Sequence, residues 1–259
     1  MRINQWISHN TKYSRRQADE LIKNNKVRID SNVASFGAQV SKGQKVYINN
    51  KRIFKLDSNK YTLIVYNKPK GELVSNRDDR NRKLIYHTLD SKFSHFIPIG
   101  RLDYASEGLL LLSDNPLVAR ALMESNLIRV YNLKLDSKLN NKVLDAMREG
   151  LKLNNALKGA HKNTKIISME FAPFAFCDIV KEGLKYTKIK VGILEGKNRE
   201  LRRFFAHFGI GILNLKRVRY GFVELNALPS AKSRYLTRSE YSKLRVFLQN
   251  SQNINYEKC

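Results

Sequence analysis

Residues 100–115 read GRLDYASEGLLLLSDN, and the two halves of this stretch demand different surroundings. Leu109–Leu112 is short, wholly apolar and preceded by Gly108, which suits a buried strand. Asp114-Asn115-Pro116 then opens a helix, with proline at an early position, and the helix continues through LVARALM. In front of the leucines stands a polar loop carrying Asp103 just after Arg101. A carboxylate at the rim of a core needs a cation partner to stay ionised. Asp103 is therefore either half of an ordinary ion pair or a reactive group, and the pattern alone leaves both open.

Working outward, strands and helices follow in mixed order. Tyr61–Tyr66 is strongly β-prone, and Lys68-Pro69-Lys70-Gly71 stops it with turn residues, leaving two cations at the strand end. Arg129–Asp136 alternates, with Tyr131, Leu133 and Leu135 on one face and Lys134 on the other. Asn140–Arg148 predicts a helix ended by Gly150, followed by strand-like IISMEF and YTKIKVGIL. Asn198 starts a helix with Leu201, Phe204, Phe205 and Phe208 at i, i+3, i+4, i+7. Arg202 and Arg203 fall between those apolar positions, one suited to a buried ion pair and the other to solvent or phosphate. The tail after about Asn250 is polar and expected to fray.

Residues 1–55 read as a separate compact unit. Ile3, Trp6 and Ile7 open an amphipathic helix. Ser14-Arg15-Arg16-Gln17 fits a capping box, and Ala18, Leu21 and Ile22 line one face of a second helix. Val27–Ile29 and Val46–Ile48 read as strands. Lys12, Arg15 and Arg16 crowd the start of the second helix, and Lys23, Lys26 and Arg28 follow it. Such a helix start suits phosphate; the plainer alternative is a solvated basic face. The whole order predicts an α+β fold. A small helix–helix–strand module occupies 1–55 and a linker 56–62. A mixed, mainly antiparallel-sheet domain spans 63–249, and a polar tail 250–259.

The chain has 259 residues, 42% of them hydrophobic, enough to bury a real core. Lys and Arg number 48 against 23 Asp and Glu, a formal charge of +25. That excess points to a polyanion, nucleic acid first and an anionic membrane surface second. No stretch is apolar enough to span a bilayer, and MRINQWISHN is not a signal peptide. The two cysteines, Cys177 and Cys259, form no metal-binding pair and suggest a reduced, cytoplasmic setting. The five histidines are scattered. Gly196-Lys197 lacks a P-loop frame, and no Gly-rich loop suits a dinucleotide or S-adenosylmethionine. With no cofactor and no metal site legible, side-chain chemistry is the remaining enzymatic option.

Ordered motifs add a resemblance. SRRQAD, a VRID-type strand and a late Gly-x-x-Val resemble the αL-type RNA-binding module. GRLDYASEGLLLLSDN resembles the hallmark of small-subunit-type RNA pseudouridine synthases, which carry that module in front of the catalytic domain. Asn67-Lys-Pro-Lys-Gly71, Val130-Tyr-Asn-Leu-Lys134, Glu195-Gly-Lys-Asn-Arg-Glu-Leu-Arg-Arg203 and Arg217-Val-Arg-Tyr-Gly221 match the family's further motifs in order.

The resemblance implies a cofactor-free isomerisation of uridine to pseudouridine in bacterial ribosomal RNA, with the target base flipped out of its stack. By position, Asp103 resembles the essential nucleophile and Arg101 the residue that enters the RNA stack. Tyr131 resembles the tyrosine packed on the flipped base, Arg202 the partner of the aspartate, and Leu201 the pocket floor. Lys12, Arg15, Arg16, Lys23, Lys26, Arg28, Lys68, Lys70, Arg199 and Arg203 are expected on RNA phosphates, and Ser106 in a loop hydrogen bond. Glu72-Leu73 departs from the family's usual small β-branched residues. The segment after RVRYG points to large-subunit rRNA. A small-subunit rRNA enzyme is the alternative, and a non-catalytic RNA-binding assembly factor a further one. The expected partner is ribosomal RNA or a ribosomal-subunit assembly intermediate, bound by a monomer.

Overall fold

The computed structural model describes residues 1–11, 13–55, 60–161 and 163–256, with side chains to 250. Contacts divide the chain into two compact units, Met1–Thr62 with Asp114–Val118, and Leu63–Ser113 with the chain from Ala119 onward.

In the first unit, α1 (Ile3–Asn10) and α2 (Arg15–Lys23) precede β1 (Val27–Ile29), β2 (Asn32–Val33), β3 (Val46–Ile48) and β4 (Lys51–Ile53). The capping box at α2 is formed: the Ser14 hydroxyl accepts from Gln17 N, and the Gln17 side chain accepts from Ser14 N. Ile3 and Ile7 from α1, Ala18 and Ile22 from α2, and Val27, Val46 and Ile48 from the strands bury together. A four-stranded antiparallel sheet results, in the order β2-β1-β3-β4. The two short strands Asn32–Val33 and Lys51–Ile53 carry exposed polar residues and show no alternation to read.

The second unit is built on a mixed sheet. Its strands are β5 (Leu63–Lys68), β6 (Ile97–Pro98), β7 (Glu107–Ser113), β8 (Arg129–Leu135), β11 (Phe176–Glu182), β12 (Thr187–Ile193), β13 (Ile212–Tyr220), β14 (Val223–Glu224) and β15 (Ser233–Tyr235). The short pair β9 (Leu151–Leu153) and β10 (Met169–Phe171) stands apart from them. The main path runs β11-β12-β8-β13-β7-β5-β15 and is antiparallel except between β13 and β7. Helices α3 (Pro116–Met123), α4 (Asn141–Glu149), α5 (Glu200–His207) and α6 (Arg238–Tyr256) complete the chain. The fold is α+β, with a mainly antiparallel sheet. Tyr131, Leu133 and Leu135 of β8 pack with Val143 and Met147 of α4 and with Leu201, Phe204 and Phe205 of α5.

One strand was not anticipated and two expectations differ. The edge strand β11 escapes a pattern reading because its residues are half-buried or exposed rather than alternating. The helix after Asn198 begins at Glu200, since Arg199 takes a left-handed conformation at φ 51°. The stretch expected to fray from Asn250 continues α6 as far as Tyr256, while residues 257–259 and the linker residues 56–59 lie outside the described residues. No helix among the described residues is long and apolar enough to cross a membrane.

Candidate active site

The strand pairing creates a cleft beside the loop of residues 100–106. Leu109–Leu112 lies in β7, buried between β5 and β13, as its apolar run predicts. At the front of β7, Ser106 N donates to Asp103 O at 3.0 Å, closing a tight turn. Lys68 at the end of β5 reaches under this turn and donates to the carbonyls of Pro69, Asp103 and Ser106. Gly71 N holds the outer side through Tyr104 O. Asp103 is thereby fixed at the cleft with a third of its side chain exposed, 33%.

Helix α5 and the residue before it supply the cations. Arg199, just before α5, and Arg202, in its first turn, both reach the loop. Arg199 Nη1 donates to Asp103 Oδ2 at 3.2 Å, while Arg199 Nε donates to Gly159 O. Arg202 Nε stands 3.5 Å from the same Asp103 oxygen, and its Nη2 donates to Ala105 O and Ser106 Oγ. Two guanidinium groups therefore converge on one carboxylate. Burial and the neighbouring Arg199 pull the Arg202 pKa below the ordinary guanidinium range, and Asp103 opposes that shift. Gly159 lets its own loop lie against the backbone of α5: it holds φ +73°, and a Cβ there would lie 2.4 Å from Arg202 O.

The cleft, about 220 Å³, is lined by Arg101, Asp103, Tyr131, Leu201 and Arg202, so five positions expected at the site meet in one place. Tyr131 sits in β8 between Val191 and Arg217 across the sheet and is 7% exposed. Leu201 is buried, and Arg101 is exposed.

Other expected sites are placed differently. Lys68, read as a phosphate cation, is fully buried and spent on three carbonyls. Arg203, read likewise, is also fully buried, bound to Ile166 O and Thr164 Oγ1, because its position on α5 faces the core. Arg199, grouped by sequence with the phosphate cations, pairs with Asp103 instead; its i, i+3 spacing from Arg202 is the available signal. Lys70, Arg15, Arg16, Lys23 and Lys26 are exposed, and Arg28 is half-buried with its guanidinium over Tyr47. Lys12 lies outside the described residues. Unanticipated lining residues are Arg129, Lys197, Glu200 and Arg217.

The family described as RNA pseudouridylate synthase matches residues 62–207, more than half of the chain. The chain belongs to this family. An uncharacterised RNA pseudouridine synthase of Helicobacter pylori is 50% identical over 98% of this chain and 97% of its own. The dual-specificity RNA pseudouridine synthase RluF of Escherichia coli is 31% identical over 97% of this chain and 80% of its own. The ribosomal large subunit pseudouridine synthase B of Bacillus subtilis is 29% identical over 97% and 98%. A pseudouridylate synthase crystal structure, 24% identical, shares the fold with a TM-score of 0.63 over 94% of this chain and 99% of its own. This RNA pseudouridine synthase therefore acts on RNA and isomerises uridine to pseudouridine, so the non-catalytic reading falls away.

Proposed function

We propose that this pseudouridine synthase modifies a specific uridine of large-subunit ribosomal RNA, acting as a monomer, with Asp103 as its nucleophile. The observation that carries the site assignment is the convergence of Arg199 and Arg202 on the Asp103 carboxylate beside Tyr131. Two guanidiniums hold the carboxylate in one orientation at the cleft and balance its charge, which suits a nucleophile. Tyr131 offers the extracted base a π-face and a phenol, and Leu201 forms an apolar floor. Arg101 at the exposed rim enters the RNA stack in place of the flipped nucleotide. Residues 1–55 act as the RNA-docking module through Arg15, Arg16, Lys23, Lys26 and Arg28. The large-subunit target is supported by the name of the Bacillus subtilis relative and by the segment following Arg217-Val-Arg-Tyr-Gly221.

Mapping pseudouridines in ribosomal RNA from cells with and without the gene tests the reading. One large-subunit site should vanish on deletion, return with the wild-type gene, and stay absent with Asp103→Asn. Restoration by Asp103→Asn would overturn the nucleophile assignment, and a lost site in small-subunit RNA would overturn the target.

A further inference from the structure

The cations lining the cleft are Arg101, Arg129, Lys197, Arg199, Arg202 and Arg217, against the acids Asp103 and Glu200. Most of them are already engaged. Arg129 donates to Leu194 O, Ser125 O and the Tyr220 hydroxyl. Lys197 is bound by Glu195 and by Glu170 O. Arg199 and Arg202 are occupied with the Asp103 loop. Arg101 is exposed at the rim.

Arg202 Nε also lacks a hydrogen bond but stands 3.5 Å from the Asp103 carboxylate, whereas Arg217 has no ion pair among the described residues. Arg217 is 3% exposed and its Nε donates to Leu109 O at 2.7 Å, while its Nη2 is buried with no hydrogen-bond partner among the described residues. A charged donor left unpaired in the interior costs stability, so its persistence calls for a role. Its position is also rigidly set. Arg217 is the cross-strand neighbour of Tyr131 on one side and of Gly108 on the other. Gly108 holds φ +104°, and a Cβ there would stand 2.2 Å from Arg217 O, so β7 and β13 meet too closely for any side chain. The Tyr220 ring, 5.4 Å from the guanidinium carbon, packs against the charge.

We infer that Arg217 is a further catalytic residue, whose free guanidinium nitrogen donates to a carbonyl oxygen of the flipped uracil and stabilises the negative charge that the base acquires during isomerisation. This inference rests on the assignment of the cleft as the catalytic site. In the reaction the C1′–N1 bond breaks and a C1′–C5 bond forms; C5 releases its proton to solvent and N1 takes one up. Electrons and atoms balance without a co-reactant. Whether Asp103 attacks the sugar, releasing the base as an anion, or adds to the base at C6, negative charge appears on the uracil oxygens. A donor held beside Tyr131 by the pairing of β8 and β13 stabilises that charge.

The test uses the full chain and ribosomal RNA carrying [5-³H]uridine, prepared from cells lacking the gene, with enzyme in excess and tritium release as readout. Arg217→Ala should slow the single-turnover rate on the order of 100-fold while RNA affinity stays unchanged. Added guanidinium ion should restore part of the Arg217→Ala rate and none of the Asp103→Asn rate. Should the alanine variant fail to fold, Arg217→Lys keeps a cation and a donor for Leu109 O but lacks the free nitrogen. It should melt near wild type and still be slowed at least about tenfold. Wild-type rates in either folded variant, or a folded Arg217→Ala that guanidinium does not rescue, would overturn the inference. An active Asp103→Asn would instead overturn the site assignment on which it rests.

Discussion

Lys68 carries the residue-scale lesson. By sequence it is a cation at a strand end next to proline, a fair candidate for phosphate. In the folded chain it is the pedestal of the Asp103 loop, and burial pulls its ammonium down to about 8 while Glu72, Asp103 and Glu107 push it back up. The folded state therefore binds this proton less well than the unfolded chain, whose lysine keeps the ordinary value of 10.5. Stability from this group rises as pH climbs from about 8 toward 10.5, because there the unfolded chain holds more protons. Lys68→Met removes that dependence and orphans three carbonyls. Its stability deficit against wild type should grow by on the order of 2–3 kcal/mol across that window. Urea unfolding at both ends of the window checks this; a constant deficit would contradict the buried ammonium. Arg199 departs from its sequence grouping for a related reason, since a guanidinium's partner is set by what faces it and no local pattern reports that.

At the scale of elements, the joint between β7 and β13 governs the cleft. It is the parallel step in an otherwise antiparallel path, and it places Arg217 opposite Gly108. Gly108→Ala should cost on the order of 3 kcal/mol, since the new Cβ meets backbone at a positive φ. Thermal unfolding of the purified variant reports the loss, and an unshifted melting temperature would show that the strands can part. Other elements are legible where a strong local rule operates. The leucine run of β7, the capping box of α2 and the asparagine cap of α4 all form. Strand β11 and helix α6 obey no such rule: the first is an exposed edge without alternation, and the second mixes polar and apolar residues too evenly.

For the whole molecule, the charge of +25 governs the encounter with RNA. The exposed cations of residues 1–55 supply a share of it. Deleting those residues should weaken RNA binding and make the logarithm of affinity less steep against the logarithm of salt, by about 0.7–0.9 for each phosphate no longer bound. Filter binding over a salt series measures both, and an unchanged slope would mean that docking lies elsewhere.

The fold class, the family motifs and the five positions that meet in the cleft were all readable from the amino-acid order, because they depend on local spacing and on ordered motifs along the chain. The folded chain added Arg199 beside Arg202 as a second partner of Asp103, turned Lys68 and Arg203 to carbonyls, and left Arg217 without an ion pair among the described residues. Arg199, Arg202, Arg203 and Arg217 look alike as letters. Burial and pairing across about a hundred residues of chain separate them, since the cost of an unpaired charge in the interior is set by neighbours that sequence distance does not reveal.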